Sequence, residues 1–272
     1  MKFVFAILLI LTHFLEVSAS PSLHSAQEQL TSAEIQAVDE VVNRFVQRLE
    51  ETGNFNLLVK ELYTNDFIQR YITQQQKELA EAKSLSPVIF FAPGLEYKPD
   101  LLKQATTEDW QRFYIAVHTI LCYGILIGMN HTAPALLKGE EPDDKFLNNI
   151  IPPQVVKLFN GHPILKNFVL MKGATKSIET VEEMRSVVTI LEQAVVLLQQ
   201  ESPKLTEESK KVIELLKEAF RKENPAEIIE KESYGYPKGT RIITVQTPLM
   251  YGLHIVHIGD KYQIVWAEPI GI

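Results

Sequence analysis

A nearly uninterrupted apolar run, "FYIAVHTILCYGILIGM", limits the architecture of this chain more than any other segment. The Thr106-x-x-Asp109 capping box before it predicts a helix from Trp110 to about Met129, followed by a polar loop from Asn130. A helix that is apolar nearly all round is buried on most sides. With 17 residues and a central histidine, the run falls short of the roughly 18 to 20 residues of a membrane-spanning helix. It therefore predicts the core helix of a soluble fold.

Amphipathic helices are predicted on both sides of this central helix. Residues 34–50 carry apolar side chains at steps of three and four, after a Thr31-x-x-Glu34 capping box. Two further stripes, the second started by Ser202-Pro203, predict an antiparallel helical hairpin over residues 176–222. A structural dimer through this hairpin is the alternative. The central helical region then covers about residues 100–223.

The C-terminal segment changes character after Pro225. Its three stretches "RIITVQT", "YGLHIVHI" and "KYQIVWAE" are rich in β-branched and aromatic residues, and Gly259-Asp260 suits a two-residue link between antiparallel strands. The predicted fold class is α+β: mostly helical, with the helical hairpin and a C-terminal three-stranded antiparallel sheet packed on helices. Residues 20–272 form a single domain in this prediction, because no Gly/Ser or Pro linker divides them.

The N-terminal segment predicts export. Lys2 is followed by the apolar run "FVFAILLILTHFLEV" and then by the small-residue pattern Val17-Ser18-Ala19. This arrangement is typical of a secretory signal peptide over residues 1–19. We expect a secreted or periplasmic protein with no integral membrane segment in the mature chain.

Charge and cysteine content exclude several classes of function. The formal net charge is −7, and such a chain lacks the basic field that attracts nucleic acid. Cys122 is the single cysteine, so an internal disulfide is impossible. The acidic loop "GEEPDDK" lacks the ligand alternation and central glycine of a calcium loop. We predict no cofactor and no metal site.

Three histidines are the candidate functional residues. His254 and His257 lie three apart in a predicted strand, so they point to opposite faces and cannot share a metal unless a bulge intervenes. His118 shares a helical face with Tyr114 and Cys122. Apolar neighbours favour a buried, inert thiol there. Each histidine is a candidate for binding, and none is assigned a catalytic role.

The two chain ends carry a family resemblance. The opening "AVDEVVNRFVQRLEETGNFNLLVKELYTNDF" resembles the start of the nuclear transport factor two-like superfamily, and "LHIVHIGDKYQIVWAEP" is similar to its closing hairpin. The resemblance implies a curved sheet wrapped by helices into a cone, which binds a small apolar molecule, catalyses with a few polar residues, or serves in assembly. Residues 100–223 depart from this pattern because they are predicted to be helical.

Noncatalytic binding of a small apolar ligand or a protein partner is the favoured function. The alternative is an extracytoplasmic isomerase or hydrolase in which one of His118, His254 or His257 acts as a base. The enzyme requires convergent polar groups in a closed pocket, whereas the binder requires only an apolar cavity or patch. Asn130-His131-Thr132 is an N-glycosylation acceptor if the source glycosylates exported chains.

Overall fold

The computed structural model describes a set of segments from residue 30 onward: 30–52, 59–60, 63–81, 89–92, 94–140, 152–168, 176–201, 204–223, 227–229, 240–247, 251–258 and 261–269. The predicted signal peptide lies outside the described residues, as does most of the acidic loop.

The first described helix, α1, spans Ser32–Thr52. The Thr31 backbone N–H donates to Glu34 Oε2 at 2.8 Å, and the Glu34 N–H donates to Thr31 Oγ1 at 3.2 Å. These two bonds are the predicted capping box. Val38 and Val41 of the predicted stripe are buried, whereas Ile35 is 49% exposed. The stripe therefore faces the core along its middle and meets solvent at its first turn.

Among the described residues between α1 and the central helix, two helices have defined bounds. They are α2 at Asn65–Glu81 and the single turn α3 at Leu101–Gln104. Between them, strands β1 (Ile89–Ala92) and β2 (Leu95–Tyr97) form an antiparallel hairpin. Gly94 in its turn has φ of +79°, and a Cβ there would lie 2.6 Å from the Phe168 backbone nitrogen. Only glycine fits this close approach.

The central helix, α4, spans Thr107–Lys138 and begins with the full capping box predicted at Thr106 and Asp109. The prediction that it ends near Met129 is wrong, because the helix continues through Pro134 to a left-handed cap at Gly139. Proline removes one helical hydrogen bond. The helix nevertheless continues, and Thr132 and Ala133 beside the proline are buried in the core.

In the part of the chain that the structure describes, four shorter helical elements follow α4. They are α5 (Pro153–Asn160), a single 3-10 turn (Leu165–Asn167), α6 (Val181–Glu201) and α7 (Glu207–Glu223). The two consecutive helices of the predicted hairpin are present. The predicted N-terminus of the second one is wrong, because α7 begins at Glu207, where Thr206 Oγ1 accepts the Ser209 N–H at 3.1 Å.

The packing partner of the α6 stripe differs from the prediction. Within the described part of the chain, α6 and α7 each pack mainly against α4 and less against each other. The buried residues of the α6 stripe are Met184, Val188, Leu191, Val195 and Leu198. Because α4 is apolar nearly all round, it buries two amphipathic helices at once. The stripe that the dimer hypothesis requires is therefore covered within the chain.

The C-terminal antiparallel sheet packs on helices, as predicted. Its strands are β4 (Ile242–Thr247), β5 (Tyr251–Ile258) and β6 (Lys261–Pro269), and a short strand, β3 (Glu227–Ile229), adds to the β4 edge. Ile243 pairs with Ile255, and both belong to the same buried cluster as Val38 of α1. The α1 helix packs against β6, and α7 packs against β4.

Among the described helices, α4 alone is long and apolar enough to cross a membrane, with a mean hydropathy of 1.6 over its most apolar window. Within that window, 65% of the helix is buried by the rest of the chain. This burial agrees with the predicted role of α4 as a core helix.

Candidate functional site

His118 lies on the buried side of α4 and is 7% exposed. Its ring centroid is 4.9 Å from that of Tyr63 and 6.2 Å from that of Tyr114, with which it stacks. Cys122 is also buried and forms no disulfide. The predicted face of Tyr114, His118 and Cys122 is thus turned inward, where a thiol lacks the exposure that a reactive cysteine requires.

A group of aromatic rings surrounds His118, and we call it the aromatic cluster. It combines residues of α4 with residues from the turn before α2, from α2 and from β2. The rings contributed by α4 are spaced at three and four residues, so they share one side of that helix. The members are Tyr63, Phe67, Tyr71, Tyr97, Trp110, Phe113, Tyr114 and His118.

The core of this cluster is a contact between β2 and the start of α4. The Tyr97 and Trp110 ring centroids are 4.9 Å apart in an edge-to-face arrangement. Tyr97 is held there because its strand is extended by a parallel bridge to Ile178, in which the Ile178 N–H donates to the Glu96 carbonyl at 2.8 Å. Trp110 is fixed by the capping box that begins one turn before it. Both side chains are 1% exposed.

Two polar atoms of the aromatic cluster are buried without a partner. Neither Tyr97 Oη nor Trp110 Nε1 makes a hydrogen bond to any part of the chain that the structure describes. Burial of an unpaired donor costs free energy, so most buried polar groups in proteins are hydrogen-bonded. The pair is therefore an exception that calls for an explanation.

The hydroxyls of Tyr97 and Tyr114 stay protonated at neutral pH. Burial raises the pKa of Tyr114 well above its usual value, and the neighbouring Tyr71 and Tyr97 add to the rise. Burial likewise raises the pKa of the Tyr97 hydroxyl, with Tyr71 again contributing. Protonated phenols can donate hydrogen bonds, so each of these two groups is a potential donor.

Two ion pairs fasten the start of α4 to α6. Asp109 accepts from Arg185 Nε at 2.8 Å and from Nη2 at 3.0 Å. Arg112 makes a similar two-pronged contact with Glu192, at 2.9 and 2.8 Å. The bond from Arg185, helped by the Thr106 cap, lowers the pKa of Asp109 to about 2. The guanidinium groups of Arg112 and Arg185 are thus both engaged with carboxylates.

The structure does not bring His254 and His257 together. The β4–β5 register is regular, so His257 lies on the face of Leu253 and Ile255, and His254 lies on the opposite face with Val256. A register shift occurs between β5 and β6, but the additional residue, Val265, is in β6. The bulge that a shared metal site would require is therefore absent from β5. His254 is half-buried and His257 is exposed.

His257 lies at a small polar corner between the sheet and α1. Its ring centroid is 4.6 Å from that of Tyr262, and its charge contributes to lowering the pKa of Glu34, although the Thr31 backbone bond contributes most. The Glu34 carboxylate accepts from Thr31 through one oxygen and from Arg241 Nη1, at 3.0 Å, through the other. Both Glu34 oxygens thus take part in structural contacts, one in a helix cap and the other in an ion pair, and these two roles account for the polar groups at this corner.

Asn130, the predicted glycosylation acceptor, is built into a helix contact. Its Nδ2 donates to the Lys204 carbonyl at 2.7 Å, while its Oδ1 accepts from the Thr206 N–H at 3.0 Å and from Ser209 Oγ at 2.8 Å. The side chain therefore fastens the N-terminus of α7 to α4.

Sequence reasoning found His118 and missed most of its neighbours. The spacing of Trp110, Tyr114 and His118 on one helix was the available signal. Nothing in the sequence places Tyr63 or Tyr97 beside them, because those contacts join distant segments. Among the described residues, no group of three or more His, Cys, Asp or Glu side chains could hold a metal ion.

Comparison with family models, with curated proteins and with solved structures found no match to this chain. The resemblance to the nuclear transport factor two-like superfamily therefore stays a prediction.

Proposed function

We propose that this protein binds small, mostly apolar molecules without changing them chemically, and that it does so in the aromatic cluster, outside the cytoplasm. The observation that carries the proposal is the unpartnered pair Tyr97 Oη and Trp110 Nε1, two buried donors in one aromatic interior. Small-molecule sites in proteins have this composition: apolar and aromatic walls with a few placed polar groups.

Access to the cluster is available at one member. Tyr71 is only partly buried, and its ring centroid is 5.4 Å from that of Tyr114. A rotation of this surface side chain, which occurs rapidly in proteins, would open the cluster from the α2 side. Ligand entry then requires no rearrangement of helices.

The alternatives have less support. A general base must reach its substrate in a suitable protonation state. His118 is 7% exposed, which leaves a substrate little access to its ring, and the carboxylate beside His257 is engaged by Thr31 and Arg241. The stripe of α6 that a hairpin dimer would use is buried against α4.

The test is binding of two flat probes of similar shape, acetophenone and α-methylstyrene, with benzoate as a charged control. The chain has two tryptophans, so W266F leaves Trp110 as the sole site for a 5-fluorotryptophan label. We expect at least one neutral probe to shift the fluorine resonance of Trp110 saturably and to raise the Tm of the wild-type protein in calorimetry.

Benzoate should do neither, because its charge would have to be desolvated without a cation partner. Absence of both effects for the two neutral probes, up to their solubility limits, would refute the proposal. Calorimetry of the unlabelled wild type keeps the test valid if W266F folds poorly.

A further inference from the structure

We infer that the ligand of the aromatic cluster is a compact, uncharged molecule whose apolar body carries a hydrogen-bond acceptor oxygen, such as an aryl ketone or aldehyde. This inference rests on the proposed function and specifies its ligand class. It follows from the kind of polar atom that the cluster offers and from the charges that are already paired around it.

Both unpartnered atoms are hydrogen-bond donors, so a complementary ligand carries a hydrogen-bond acceptor. An indole Nε1–H donates and cannot accept, so Trp110 is complemented only by an acceptor. The Tyr97 hydroxyl is protonated, because burial raises its pKa, and it too has a hydrogen to donate. The Tyr97 and Trp110 rings are in contact, with centroids 4.9 Å apart, so both donors belong to one small part of the cluster.

The surroundings select against a charged ligand. A carboxylate or phosphate buried here would need a cation. Arg112 of α4 and Arg185 of α6 are each held in a two-pronged pair near the start of α4, with Glu192 and Asp109 respectively. A neutral carbonyl oxygen satisfies the donors and leaves both pairs intact.

Ring spacing limits the size of the ligand. The centroid distances of Trp110 to Phe113 and to Tyr114 are 5.9 and 6.1 Å, and that of Tyr63 to Tyr114 is 5.8 Å. These are ordinary contact distances between packed aromatic rings. The rings are therefore packed against one another, and a ligand enters only by displacing side chains, which favours a molecule of about one ring over long or multi-ring ligands.

The experiment compares acetophenone with α-methylstyrene, in which a CH₂ group replaces the acceptor oxygen. Affinities are measured by isothermal titration for the wild type, Y97F, W110F and the control Y123F. Tyr123 is a fully buried tyrosine on the same helix, outside the cluster as defined.

We expect the wild type to bind acetophenone about tenfold more tightly than α-methylstyrene, from net hydrogen bonding to two donors. That ratio should fall to about threefold in Y97F and in W110F, and it should be unchanged in Y123F.

The outcomes separate the two proposals. Equal wild-type affinities for the two probes, or a ratio that survives in both Y97F and W110F, would overturn the acceptor inference while leaving noncatalytic binding in place. Failure of both probes to bind the wild type would refute the proposed function itself. Because Y97F deletes an unpartnered hydroxyl, we expect it to fold, and W110F provides an independent second measurement.

Discussion

At the scale of single residues, Tyr97 combines properties that are unfavourable for stability. A tyrosine that is 1% exposed and whose hydroxyl lacks a partner within the described chain would be more stable as phenylalanine. Natural proteins keep such residues where function needs them, at some expense of stability. The missing hydrogen-bond partners of Tyr97 and Trp110 therefore point to a role in function and not in stability.

This argument predicts that Y97F is at least as stable as the wild type, and more stable by up to about 1 kcal/mol without ligand. Urea unfolding midpoints would measure the difference. A buried tyrosine with a satisfied hydroxyl behaves in the opposite way and loses about 1 kcal/mol on the same change. A loss of that size in Y97F would mean that the hydroxyl has a partner and would remove the basis of the ligand site.

At the scale of elements, the contact between α4 and α7 depends on one amide. Asn130 makes three hydrogen bonds to residues between Lys204 and Ser209, and a glycan on Nδ2 would occupy the space of that segment. We predict that Asn130 is unmodified in the folded protein and that N130A costs about 2 to 4 kcal/mol. Unfolding free energies and intact mass after expression in a glycosylating host would measure both.

The control for Asn130 is T132V, which destroys the same acceptor motif while keeping the Asn130 contacts. The Thr132 hydroxyl bonds only within its own helix, to Gly128 and Met129 among the described groups. We expect T132V to cost less than about 1 kcal/mol. Similar losses in the two variants, or a glycan mass on the wild type, would contradict the structural role of Asn130.

The contact between α4 and α6 should depend on acid pH. Asp109 has a folded-state pKa of about 2 against an ordinary value of 3.8. Its contribution to stability is therefore fully present above pH 3.8 and is lost as the pH falls towards 2. Because Arg185 is 54% exposed and solvent screens the pair, we expect this contribution to be about 1 to 2 kcal/mol.

Urea titrations of the wild type and D109N from pH 2 to 7 would test the assignment of this pH dependence. The difference in the free energy of unfolding between the two proteins should be largest at neutral pH and should disappear as the pH falls towards 2. The matched variant E192Q should lose less than about 0.5 kcal/mol, since both partners of its ion pair are 43% exposed. A gap between wild type and D109N that persists at pH 2 would assign the acid sensitivity to other carboxylates.

At the scale of the whole molecule, local signals were predictable from the sequence and distant partnerships were not. The capping boxes at Thr31 and Thr106 depend on residues three apart, so the starts of α1 and α4 follow from composition and spacing. The start of α7 at Glu207 is fastened by the Asn130 contact, which joins segments more than seventy residues apart, and the continuation of α4 past Pro134 accompanies burial of Thr132 within the fold.

In the candidate site, too, local spacing was predictable from the sequence and long-range contacts were not. His118 and Tyr114 share a face by helical spacing, whereas Tyr97 reaches Trp110 only because its strand bridges to Ile178. The α6 stripe was correctly predicted to be buried, but its pattern specifies an apolar partner and does not identify which one. The stripe packs against α4, which is apolar nearly all round, and not mainly against its neighbour in sequence, α7.

One continuous buried cluster predicts that the described elements unfold together. It runs from α1 and α2 through β2 and α4 to α6, and it includes Ile243, Leu253 and Ile255 of the sheet. A chain that shares one core unfolds in an all-or-none manner, so the calorimetric and van't Hoff enthalpies should agree. L191A in α6 and L253A in β5 should each lower the free energy of unfolding of the same single transition by about 2 to 5 kcal/mol, because both leucines are fully buried.

Circular dichroism of the helices and fluorescence of the tryptophans should then give coincident urea curves in both variants. Two transitions, with L253A moving only one of them, would show that the sheet forms a separate unit. A ligand of the aromatic cluster must, in the cooperative case, raise the midpoint of every probe equally, since Tyr97 and Trp110 belong to the same core as Leu253. Stabilisation confined to the helical signal would therefore contradict the single core even if binding at the cluster were established.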